Sequence, residues 1–153
     1  MSKRILFIFV LCTFILKHKA QFLDKKFYLI DSIEKKETNK NDFILIDNNL
    51  KKYHSTNSDT VKLNLLSEIV EGGNDQNIWI RYNRLLYIIA DELAKKEQNK
   101  FLKNKFLSKK AQAINNYAFY VQNDWKDSKT AWNIYYKAIA IQEEIGYKLN
   151  LTI

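Results

Sequence analysis

The chain contains no proline, and its only glycines are Gly72, Gly73 and Gly146. Proline breaks helix interiors and glycine marks tight turns. Their scarcity excludes turn-rich all-β folds and favours long helices with few interruptions. Cysteine is limited to Cys12, inside an apolar N-terminal stretch. Beyond that stretch there is no thiol for a disulfide, a thiolate metal site or a nucleophile. Leu11 precedes Cys12 where a lipidated cysteine wants a small residue, so no lipid anchor is expected. The two histidines, His18 and His54, are far apart in sequence and supply no zinc-ligating pair. Arginine occurs only as Arg4, Arg81 and Arg84, which leaves few side chains for bidentate phosphate or guanine contacts.

What is present is enough for one core. Of 153 residues, 46% are apolar and 14% aromatic, too many for a chain disordered throughout. The net charge of +8 points first to nucleic acid. Lys3, Arg4, Lys17 and Lys19 lie in the first 20 residues, which hold no acid; the remainder carries 21 basic against 17 acidic residues. Those bases are mostly lysines among many Asn, Ile, Tyr and Phe residues, the composition that A+T-rich coding produces. No nucleic-acid partner is expected.

Residues 1–21, "MSKRILFIFVLCTFILKHKAQ", have the three parts of a secretory signal. Lys3 and Arg4 form the positive region, and Ile5–Leu16 is an apolar run broken only by Thr13. That run is shorter than the ~20 apolar residues a membrane-spanning helix needs. Cleavage after Ala20 is expected, giving a signal peptide over 1–20 and an exported, periplasmic or secreted chain. If the signal is not cleaved, the same segment retains the chain at the membrane, and no other membrane span is expected.

The remaining pattern divides into an N-terminal helix with a polar linker (21–41) and a helical domain (42–153). Phe22, Leu23, Phe27, Ile30 and Ile33 have helical spacing and run into "EKKETNKN". "DFILIDNNLKKYH" predicts a helix capped by Asp42. The next starts at Ser58 or Asp59, carries Val61, Leu65, Ile69 and Val70 on one side, and ends at Gly72. A longer helix from about Asn74 places Ile78, Tyr82, Leu85, Leu86, Ile89 and Leu93 at helical spacing. After "QNK" comes "FLKNKFLSKKAQAINNYAFYVQ", then the turn "NDWKDS" and "KTAWNIYYKAIAIQEEI" up to Gly146. Short connectors make neighbouring helices antiparallel, and the fold class is all-α.

In the last helix Ala131, Tyr135 and Ala138 share one face, with Ala118 opposite on the preceding helix. Small side chains let two helices approach closely while the aromatic fills the space above them. This pattern resembles the tetratricopeptide repeat, a 34-residue helix–turn–helix unit. Ala118, Ala131, Tyr135 and Ala138 match its small and aromatic positions, and the turn "QNDWKDSK" resembles its "Q-G-D-Y-E-K". The clearest repeat covers 111–147. The turn is one residue longer than usual, Val121 stands where an aromatic is usual, and no proline closes the repeat. The resemblance implies antiparallel helix pairs stacked as a short α-solenoid.

Over residues 55–150 the chain also resembles the exported N-terminal input region of bacterial sensor histidine kinases that carry such repeats. In that family a transmembrane helix and a kinase core follow, and neither is found in these 153 residues. His54, in "YHSTNSD", lacks the acidic residue and nearby proline of a phosphoacceptor box. The resemblance therefore implies a sensory input or interaction module, in one reading a shortened kinase N-terminal region. The alternative is an intracellular regulator of transcription or signalling that keeps its hydrophobic N-terminus. "YKLNLTI" after Gly146 resembles the start of another repeat helix, which predicts an uncapped C-terminal edge for self-association or partner docking.

No acid–base pair, nucleophile or metal cluster emerges, so neither an enzyme nor a cofactor is expected. Glu92 with Lys95 and Lys96, and Glu143 with Glu144, read as solvated helix faces. Trp79 and Trp132 read as core aromatics, whereas Trp125 stands out because it falls in a predicted turn. A protein or peptide partner is expected, with Asn116, Tyr117, Tyr120 and Asn123 as groove residues.

Overall fold

The computed structural model describes residues 24–146. The expected signal at 1–20 and the expected repeat start at 147–153 lie outside the described residues. The chain divides into two units, Met1–Asp31 and Ser32–Ile153. Among the described residues of the first, helix is confined to one turn, α1 (Lys25–Tyr28), capped by the Asp24 carboxylate and stopped at Leu29, whose φ is 50°. The amphipathic spacing through Ile30 and Ile33 is thus not continued as helix.

The second unit holds α2 (Lys40–Ser55), α3 (Asp59–Gly72), α4 (Gln76–Lys96), α5 (Lys100–Asp124) and α6 (Ser128–Glu144). No strand occurs among the described residues, and the all-α reading holds. No helix among them is long and apolar enough to cross a membrane. Each helix starts on a side chain that accepts a free backbone N–H: Asn39, Ser58, Asp75, Asn99 and Asp127 in turn. Such caps contribute about 1 kcal/mol each.

The cap of α2 corrects one expectation. Asn39 occupies that position, and Asp42 lies inside the first turn with its carboxylate almost fully buried. It accepts from the backbone of Asp75 at 2.7 Å, from the backbone of Asn74 at 3.0 Å and from the Asn74 amide at 3.1 Å. Burial raises the pKa of this carboxylate, but those hydrogen bonds outweigh burial and hold it below the usual range. Asp42 thereby pins the α3–α4 connector onto α2. That connector begins with Gly73, where a Cβ would lie 2.8 Å from the Ile69 carbonyl oxygen. Glycine is needed there for space.

Consecutive helices pack against each other, and α3 also touches α5, whereas α2 and α4, or α4 and α6, do not meet. Side-chain pairs give the directions. Asp91 meets Lys110 and Trp79 meets Tyr120, so α4 and α5 are antiparallel. Ser67 meets Lys109 and Glu71 meets Gln112, so α3 and α5 run the same way. Leu63, Leu66, Ile69, Tyr82 and Leu86 are almost wholly buried in the centre. A leucine so buried contributes about 1.5–3 kcal/mol. The expected apolar side of α3 needs correcting, because Val61 is 43% exposed while Leu63 and Leu66 are core. With α2, α4 and α5 all packed on it, α3 buries a stripe wider than one amphipathic face.

Candidate functional site

Ala118, Ala131 and Ala138 are all fully buried. Tyr135 lies half-buried, and its hydroxyl is 3.3 Å from Gln122 Oε1 on α5. The Tyr135–Gln122 contact joins α6 to α5, on which α6 packs. Apart from the Tyr135 phenol, none of these four residues carries an ionisable side chain.

The expected groove residues meet different fates. Tyr117 and Tyr120 stack with centroids 6.3 Å apart, and Trp125 sets its edge against both, at 6.4 and 6.1 Å. Buried Trp79 joins from α4, 6.1 Å from Tyr120. Trp125, at 58% exposure, is the outer member of this cluster. The Asn116 amide is spent on Asn83 Oδ1 at 3.3 Å, and the Asn123 amide bonds the Phe119 carbonyl of its own helix at 2.8 Å. Asn83 is itself buried and donates to the Ala113 carbonyl at 2.9 Å, so the Asn83–Asn116 pair fixes the register of α4 on α5. The rings of the aromatic cluster fill one another's space.

An open cleft lies at the other end of α5. It measures about 450 Å³ and runs between the first halves of α3 and α5. Thr60, Leu63 and Asn64 form one wall; Phe101, Asn104, Lys105, Phe106, Ser108 and Lys109 form the other, and Ile145 completes the lining. Leu63 and Phe106 are buried and make an apolar floor, whereas Phe101 is 67% exposed at the rim. Lys105 Nζ sits 4.4 Å from the centre of the Phe101 ring, a cation–π contact. Lys109 Nζ donates to Ser67 Oγ at 2.9 Å and to Gln112 Oε1 at 3.2 Å. The Gln112 amide in turn donates to Glu71. Burial lowers the pKa of the Lys109 amine, with Glu71 and Glu68 opposing that shift.

The sequence missed this cleft because it has no motif. Only the approach of α3 turns the lysines of "KFLKNKFLSKK" into a wall. The chemistry the cleft offers is ammonium, amide and hydroxyl donors above an apolar floor. Among the described residues there is no group of three or more His, Cys, Asp or Glu side chains able to hold a metal ion. No known protein family matches this chain, and neither a curated protein nor a solved structure is significantly similar to it.

Proposed function

We propose that this chain is a tetratricopeptide-like interaction module, non-catalytic and exported, that holds an extended segment of a partner protein in the cleft between α3 and α5. The observation that carries the reading is the contact pattern of the helices. Alternate helices meet on one side of the unit, where α3 touches α5, and stay apart on the other, where α2, α4 and α6 do not meet. Unequal spacing of this kind curves a stack of helix pairs, and the inner helices line the hollow that receives a ligand. The cleft lies between those two inner helices. Its size suits a few side chains of an extended peptide. The buried Ala118, Ala131 and Ala138 support the same reading, since a repeat packs on small residues.

The test is peptide selection on the full chain from a random dodecamer display library, with bound peptides mapped by amide NMR. Shifts at Thr60, Asn64, Asn104 and Ser108 are expected, and Ser108→Trp, which fills the cleft, should abolish binding. Peptides that bind Ser108→Trp as well as wild type would overturn the reading. Export has its own measurement, the loss in cells of the mass of residues 1–20.

A further inference from the structure

We infer that the cleft between α3 and α5 selects a peptide segment that sets an acidic side chain beside an apolar one. This rests on the peptide-binding reading of the same cleft and adds the chemistry of the ligand. Among the described residues the lining contains two lysines and no carboxylate. Along 100–123, α5 carries Lys100, Lys103, Lys105, Lys109 and Lys110 without a single Asp or Glu. These lysines are not equivalent. Lys110 is turned toward α4 and paired with Asp91 at 2.7 Å. Lys109 is held by neutral acceptors, with Glu71 reached through Gln112. Lys105 rests on the Phe101 ring and makes no ion pair among those the described residues form.

The wall of the cleft therefore offers positive charge that no carboxylate among the described lining residues neutralises, with Glu68 and Glu71 acting on Lys109 from outside the lining. A ligand carboxylate placed between Lys105 and Lys109 supplies that charge. It also finds neutral donors in the Asn64 and Asn104 amides and the Ser108 hydroxyl. Beside it, Leu63, Phe106 and Ile145 leave an apolar seat. Phe101 and Lys105 already touch, so an apolar group laid on the ring and a carboxylate laid on the amine must be neighbours in the ligand. A phosphodiester backbone would satisfy the lysines but leave the apolar seat empty, so the acidic–apolar peptide is the better fit.

The experiment uses the full chain and peptides enriched from the display library, labelled with fluorescein and read by anisotropy. Enriched sequences should place Asp or Glu next to Leu, Ile or Phe. Changing those acids to Asn or Gln should weaken binding about tenfold, the loss of one partly desolvated charge pair. Lys105→Gln should do the same, while Lys103→Gln, outside the lining, should change affinity less than twofold. Circular dichroism confirms that both variants fold. If neutral peptides bind the cleft as tightly as acidic ones, the charge inference falls and the peptide-binding reading stands. If no peptide shifts the cleft amides, both fall. Displacement of the acidic peptide by a single-stranded oligonucleotide or by anionic phospholipid vesicles at lower concentration would also overturn the inference.

Discussion

Between Lys100 and Lys110, α5 carries five lysines and buries only Phe106; between Ala111 and Val121 it buries Ala111, Ala113, Ala118 and Val121. One helix thus has a half with a cleft beside it and a half whose small side chains are buried. In the second half, methyl-sized side chains let α6 approach until Ala131 and Ala138 are also out of solvent. In the first, long charged side chains hold the neighbours off, and a cleft of about 450 Å³ results. Side-chain length therefore decides along a single helix where the chain packs against itself and where it keeps a surface for something else. On the proposed function, stability belongs to the alanine half and recognition to the lysine half.

The sharpest way to break that contrast is to enlarge a small residue in the packed half. Ala118 has no solvent exposure, and Ala118→Leu inserts extra carbon atoms into that buried position. A loss of about 1–3 kcal/mol is expected in urea denaturation followed by circular dichroism. The matching change in the open half, the exposed Lys103→Leu, should stay within about 0.5 kcal/mol of wild type. Equal effects at the two positions would show that the halves do not differ in packing.

A second comparison tests whether the lysine half gives up stability for its charge. Lys109 is half-buried, and burial lowers its pKa in the folded state. A lysine whose folded pKa lies below its unfolded value costs stability while charged. That cost persists up to the folded pKa and disappears as pH rises to the unfolded value, roughly 10.4. Lys109→Met keeps the length of the side chain and removes the charge, while Ser67 retains its contacts with the Leu63 carbonyl and Gln112. The variant should match wild type or exceed it by up to about 1 kcal/mol at pH 7, with wild type gaining on it as pH rises toward the unfolded value. A stability loss of about 2 kcal/mol or more would assign Lys109 to the framework and remove it from the recognition surface.

These halves were not equally readable in the sequence. Ala131, Tyr135 and Ala138 recur at helical spacing on one element, and the spacing of a single helix is a local property. The pairing of α6 with α5 follows from a short turn, Trp125 to Asp127, and α5 is the helix that α6 packs on among the described residues. The cleft, in contrast, depends on α3 reaching α5 across some forty residues, and no local pattern encodes that approach. Asp42 fails as a cap for the same reason. Its partners Asn74 and Asp75 are more than thirty residues away, so a carboxylate near a helix start looks like a cap until the connector folds over it. Tyr117 and Tyr120 were legible as aromatics on one face, but their use was not, since Trp79 and Trp125 arrive from α4 and from the turn.

The smallest expected effect lies in that turn and sharpens the comparison from the other side. Lys126 adopts φ 54°, the left-handed region that costs a side-chain-bearing residue about 1 kcal/mol. Lys126→Gly removes this strain but gives the unfolded chain more freedom, and the two terms partly cancel. A net gain of about 0.5 kcal/mol is expected, whereas Lys126→Val, branched at Cβ, should lose more than 1 kcal/mol. Both changes act where α5 hands over to α6, at the far end of α5 from the cleft. Affinity for a cleft-bound peptide should therefore stay within twofold in both variants while stability moves in opposite directions. A change of tenfold or more in affinity would mean that the packed half positions the open one, and the division of α5 into separate roles would have to be given up.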